Sequence, residues 1–301
     1  MMDRRAFIGT VTAATLLSHR LTWALAEHKI EKIGLQLYTV RFAMKEDFDG
    51  SLAKVAAIGY KEAELAEFAL APDGSVTYFG RSAKDLRAAL DTHGLTSPST
   101  HVKYVSLTPD KFPQVIEASH VLGNKYIVMP WIEEVDRKQP DIWKKAAAVF
   151  NRAGEDCKKA GIQFAYHNHW FEFLPVDGKL PYDMLLAETD ANLVKFEMDL
   201  CWITVAGGDP LAYFNKYPGR FPLVHAKDTK AIPTMSAAGA QNFGDTFADM
   251  ADVGSGIIDW KKIFAQSEKA GIRHYFVEYD KPKAPFDSIK SSYDYLEKLR
   301  F

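Results

Sequence analysis

Cysteine is nearly absent: Cys157 and Cys201 are the two in 301 residues, too few for a fold held by disulfides. Cys157 falls in a helical run and Cys201 just past a strand-like run, so both are expected to be free thiols. Charge of one sign is lacking as well. A net charge of -2 provides no basic footprint for nucleic acid and no attraction to an anionic membrane. A small neutral molecule is the expected partner. No linker, low-complexity tract or long charge run divides the chain after its first residues, which points to one domain. No Gly-rich phosphate turn follows the first strand-like run, where an open nucleotide-binding sheet would carry it. What is present, 47% hydrophobic and 25% charged residues, is enough apolar material for a substantial core.

Residues 1–26 are read as a leader and set apart from 27–301. Arg4 and Arg5 are followed one residue later by Phe7 and Ile8, which resembles a twin-arginine export signal. The apolar stretch 6–17 is too short to span a bilayer, and Ala24-Leu25-Ala26 forms a small-x-small cleavage site. This reading implies a mature protein in the periplasm or outside the cell, with no membrane attachment after cleavage.

Beyond Lys32, eight β-rich runs at 33–38, 60–65, 95–101, 126–130, 162–167, 193–199, 221–225 and 272–278 alternate with helical stretches. The helices carry apolar residues three and four apart. Gly59, Gly94, Gly123, Gly161 and Gly271 each stand between a helical run and the next strand, as helix-ending glycines do. Eight such repeats predict an α/β fold, a single (β/α)8 TIM barrel. An open doubly wound sheet is the alternative. The irregular stretch 228–255 follows the seventh strand and should cover the mouth of the barrel.

Strand ends of a barrel converge on one pocket, and here they are rich in ligand-type residues. The run 164–173 turns from apolar residues into His167, Asn168, His169 and Glu172; alternation puts His167 and His169 on one face. Strands six to eight end in Asp199, in His225 and Lys227, and in Glu278. Being inward by parity and the first polar residue at each strand end selects His167, Asp199, His225 and Glu278. Two imidazoles and two carboxylates suit one divalent ion, Mn, Co or Zn. Parity also turns Lys195 and Glu197 inward, which means either a charged barrel interior or a bulge in strand six. His169, Lys227 and His101 are the candidate catalytic groups. Gln36, Tyr38, Glu64, Trp131, Glu172 and Trp202 are the candidate substrate contacts.

The segments 33–41 (IGLQLYTVR), 166–173 (YHNHWFEF), 198–202 (MDLCW), 206–210 (AGGDP), 225–228 (HAKD) and 277–280 (VEYD), in this order, resemble the sugar phosphate isomerase/epimerase family with its xylose-isomerase-like barrel. The resemblance implies a metal-dependent isomerase or epimerase that enolises a keto-sugar. A lyase or dehydratase acting on a keto-inositol or 3-keto-glycoside by the same enolisation is the alternative, and a periplasmic sugar-binding protein the non-enzymatic one. It places the metal on the same four residues, with His167 where many relatives have Glu. That removes one carboxylate base and turns attention to His169, an imidazole with a pKa suited to proton transfer. A carbohydrate is the expected ligand, and the reading leaves room for a homo-oligomer.

Overall fold

The computed structural model describes residues 28–66, 68–70, 76–139, 141–232 and 247–301. The leader therefore lies outside the described residues. Eight parallel strands are present: β1 (Ile33–Gln36), β2 (Glu62–Glu64), β3 (Ser99–His101), β4 (Tyr126–Met129), β5 (Gln163–His167), β6 (Val194–Asp199), β7 (Leu223–Ala226) and β8 (His274–Val277). They follow one another in the ladder β2-β1-β8-β7-β6-β5-β4-β3. The seam between β2 and β3 is held by bridges Glu62 to Thr96 and Leu65 to Thr100 instead of a continuous ladder. Three steps on one side thus face four on the other. The extra residue falls around Pro98, which has no N–H to give a ladder; its carbonyl accepts from Lys125 and Tyr126 N–H.

Helices pack the outer face because each intervening segment is amphipathic. In Ile142–Lys159 the residues Trp143, Ala146, Ala147, Phe150, Ala153 and Cys157 are buried, a three-and-four spacing that makes one apolar stripe. Phe150 stacks on Tyr166 of β5 at 5.2 Å, and burial of such a ring contributes about 2–3 kcal/mol. The five glycines expected to end helices all have positive φ. Both cysteines are free and buried.

Inward-facing side chains form layers. The lower end is apolar, with Val128, Ala165, Leu223 and Phe276 in one cluster. Gly34 completes it by having no side chain, since a Cβ there would lie 2.4 Å from Phe276 Cδ1. Above this layer the interior becomes polar and charged. Two departures from the sequence reading are local. Two-residue strands Ala69–Leu70 and Arg81–Ser82 flank Val76–Tyr78 in a small antiparallel sheet after β2. The stretch after β7 is not wholly irregular, because Asp228–Thr229 pairs with Met250–Ala251. Among the described residues, no helix is long and apolar enough to cross a membrane.

Candidate active site

Strand β5 delivers the first ligand-type side chain and then stops. His167 is its last residue, and His169 follows just beyond, the two rings 5.0 Å apart. Asn168 points the other way and ties β5 to β6: its Oδ1 accepts from Asp199 N–H at 3.1 Å. Asp199 in turn caps the short helix Leu200–Val205, accepting from the N–H groups of Cys201 and Trp202 at 2.9 and 2.8 Å. One of its oxygens is therefore a helix cap. The other, Oδ2, has no hydrogen bond and faces Lys227 Nζ at 3.1 Å.

His167, Asp199, His225 and Glu278 are all buried, and each offers a ligand atom within 4.8 Å of the others'. His225 Nδ1 faces Glu278 Oε2 at 2.8 Å, and His167 Nε2 lies 4.0 Å from Asp199 Oδ2. Lys227 Nζ adds contacts to Glu278 Oε2 at 2.7 Å and Asp280 Oδ2 at 2.9 Å. Burial opposes charge on Lys227, but Asp199, Asp280 and Glu278 outweigh it and hold the ammonium charged. Asp228, the next residue, alternates outward. Its carboxylate accepts from the N–H groups of Thr229, Gly254, Gly256 and Ile258 and from Trp260 Nε1, which fixes the segment beside the mouth. Two nitrogens, a bare carboxylate oxygen and a second carboxylate at this spacing fit one divalent ion.

Beneath these residues lies a layer that strand parity left open. Glu197 points inward without a bulge, and its Oε2 lies 2.8 Å from His101 Nε2, 3.2 Å from His167 Nδ1 and 3.3 Å from His225 Nε2. Lys195 reaches the other end of the barrel, donating to Gly219 O at 3.1 Å. Glu64 Oε2 takes His225 Nε2 at 2.6 Å and Gln36 Nε2 at 2.9 Å. Burial would raise both carboxyls, but His101 and His225 hold Glu64 far below its usual range. His225, with the bond from His101 and the nearby His167, brings Glu197 down to about 2 against burial and Glu64.

Three expected substrate contacts, Gln36, Glu64 and Glu172, are not among the residues that line the cavity. Gln36 and Glu64 are fully buried and bonded to one another, and Glu172 is buried behind His169. Glu172 Oε2 accepts from the His169 backbone N–H at 2.8 Å and its Oε1 from Tyr166 Oη. Burial pushes the Glu172 carboxyl up to about 7, although these hydrogen bonds pull it back. His101 reaches the cavity wall, but its ring nitrogens face Glu197 and Gln36.

His101 also makes a prediction possible. Burial would lower its pKa, but Glu64 and Glu197 raise it from 6.5 to about 9. The folded state therefore keeps a proton that the unfolded chain releases. This contribution, about 3 kcal/mol, is fully present below the unfolded value and is lost as pH climbs towards the folded one. Denaturation of metal-free protein across that interval should show falling stability, and His101→Gln should flatten the fall. An equally steep fall in the variant would contradict it.

The cavity above the four ligand-type residues has a volume of about 870 Å³, and its walls include Tyr38, Trp131, Trp170, Trp202, His169 and Phe247. Of the expected substrate contacts, Tyr38, Trp131 and Trp202 line this cavity. Trp170 and Phe247 were missed, the latter because it follows a long irregular stretch with no periodic signal. The His169 ring lies parallel to Phe171 at 5.6 Å and edge-on to Trp131 at 5.1 Å, and its Nδ1 has no hydrogen-bond partner. Burial, and next the Lys227 charge, hold its pKa well below the ordinary value. It is a neutral imidazole at neutral pH.

Comparison with known proteins agrees with this geometry. Residues 52–299 match the family model described as xylose isomerase-like TIM barrel. An inosose dehydratase of Lacticaseibacillus casei is 27% identical over 169 residues, 52% of this chain; the match spans about half of that relative, 54% of its length. A solved sugar phosphate isomerase/epimerase from Parabacteroides distasonis ATCC 8503 has a TM-score of 0.71 at 27% identity, covering 88% of this chain and 93% of that one. The IOLI protein, solved with a bound zinc atom, shares the fold at a TM-score of 0.61 and 16% identity, over 87% of this chain and 95% of that one.

Proposed function

Because the chain belongs to the xylose isomerase-like TIM barrel family, a family with enzymes among its members, we propose that it is a carbohydrate lyase or dehydratase that enolises a keto-polyol such as a keto-inositol or 3-keto-glycoside. The observation that carries this reading is His169, whose ring stands in the cavity wall 5.0 Å from His167 with its Nδ1 free of any hydrogen bond, beside the cluster His167, Asp199, His225 and Glu278. Those four residues would hold one divalent ion, which as a Lewis acid draws electron density from the substrate carbonyl. The zinc bound by a protein of the same fold supports a metal here.

His169 takes the proton from the carbon beside the carbonyl, and its low basicity leaves it unprotonated and ready at neutral pH. Lys227 provides positive charge that offsets the negative charge growing on the carbonyl oxygen. The enolate then expels the substituent on the next carbon, and the His169 imidazolium gives its proton to the departing oxygen. Water or an alcohol leaves, and atoms and charge balance. Trp131 and Trp202 offer faces for the apolar side of the ring.

Elimination is favoured over isomerisation by two observations. The curated relatives are named for a dehydration, and His169 is a single base, with Glu278 engaged by His225 and Lys227. Incubation with keto-inositols and 3-keto-glycosides should release water or alcohol and leave an unsaturated ketone. A moved carbonyl or an inverted centre on an intact skeleton would instead establish the isomerase or epimerase reading.

Export is part of the proposal and rests on the twin-arginine pattern. Protein recovered from the periplasm should begin at Glu27, and lysine at both Arg4 and Arg5 should retain it in the cytoplasm. A full-length cytoplasmic product would sink export while leaving the chemistry untouched.

A further inference from the structure

Two buried carboxylates lie beneath the cavity, Glu64 and Glu197, and three buried imidazoles, His101, His167 and His225, converge on them. Such a concentration of charge is costly unless it serves a group above it. Each imidazole of the upper cluster has one nitrogen turned up and one turned down. His167 turns Nε2 towards Asp199 and Nδ1 towards Glu197, 3.2 Å away without a completed hydrogen bond; His225 turns Nδ1 towards Glu278 and Nε2 towards Glu64.

We propose that Glu197 and Glu64 are positioning residues that fix which nitrogen of His167 and of His225 carries the proton and which is presented to the ion. The proposal rests on the metal reading above. A carboxylate accepts hydrogen bonds and donates none, so once an ion replaces the proton between His225 Nδ1 and Glu278, the nitrogens turned to Glu64 and Glu197 are the ones that keep theirs. The lone pairs of His167 Nε2 and His225 Nδ1 are then left facing the upper cluster, and the carboxylate behind each ring raises its strength as a ligand. His101 belongs to the same device. Its Nε2 lies 2.8 Å from Glu197 and 3.2 Å from Glu64, so one cation sits between two carboxylates that would otherwise repel.

His101, His167, Glu197 and His225 also fall within metal-binding distance of one another, yet their geometry argues for support. The three nitrogens crowd a single oxygen, Glu197 Oε2, at 2.8–3.3 Å. The acceptor itself occupies the centre that an ion would need.

Zinc titration against a competing chelator tests the assignment in wild type, Glu197→Gln, Glu64→Gln and Glu62→Gln. Glu62 bonds His274 Nδ1 at 2.8 Å, one layer further from the mouth, and touches neither ligand ring, so its variant is the control. Affinity should fall by about 10- to 100-fold in the first two variants and stay unchanged in the control. Glu197→Asp, which keeps the charge, should recover part of the loss and serves where the Gln variant fails to fold. Long-range nitrogen–proton spectra of zinc-loaded wild type should place protons on His167 Nδ1 and His225 Nε2, a readout that mere structural support would not dictate. Unchanged affinity in Glu197→Gln, protons on the opposite nitrogens, or three imidazoles counted around zinc by X-ray absorption would each overturn the proposal. A wild type that takes up no divalent ion would remove the metal reading and this inference together, an outcome distinct from the other three.

Discussion

Asparagine at Asp199 or glutamine at Glu278 is expected to lower divalent-metal affinity by well over a hundredfold, a larger loss than for a carboxylate acting through a ligand. Purified wild type should carry about one ion per chain, by the four-ligand arithmetic of such sites. Asparagine is the informative substitution at position 199, because Asp199 Oδ1 also caps the helix Leu200–Val205, and alanine would add a capping loss of about 1 kcal/mol. Metal analysis beside circular dichroism separates ligand loss from unfolding. Wild-type occupancy in both folded variants would remove these residues from the ion.

His169→Ala should slow turnover by about a hundred to ten thousandfold, the range for a lost general base. Zinc affinity should hold, since His169 is outside the group whose ligand atoms converge. His169→Gln, which keeps a polar group between Phe171 and Trp131 without a titratable nitrogen, should be equally slow. The pairing of lost turnover with retained metal distinguishes a base from a ligand; turnover near wild type in either variant would dismiss His169 from the chemistry.

The barrel itself was legible because the strand runs repeat eight times and glycine stops mark five of the helix ends, and each is a local signal. Inwardness was legible too, since alternation on a strand has period two. Depth was not. Glu64 is aligned with Gln36 across β1 and β2, and that register puts both beneath the cavity, where they bond each other and no substrate. Glu172 looked like a wall residue from its place after β5, but the short turn Phe171–Phe173 folds it back onto the His169 backbone. Glu197 was flagged by parity and left between two readings. Its partners come from β3, β5 and β7, so only tertiary structure brings together the three imidazoles that make an inward carboxylate tolerable. The small sheet after β2 was missed because its strands, two or three residues long, are too short to show a period.

Solvent deuterium exchange tests enolisation most directly, because it reports the proton transfer whatever follows. Metal-loaded protein incubated in deuterated water with keto-inositols, keto-sugars and 3-keto-glycosides should place deuterium on a carbon next to the carbonyl, or in the product derived from it. That exchange should vanish on chelation and drop with His169→Ala. Saturable binding of these compounds by metal-loaded wild type, with neither exchange nor turnover across the panel, would contradict the account and mark a sugar-binding protein.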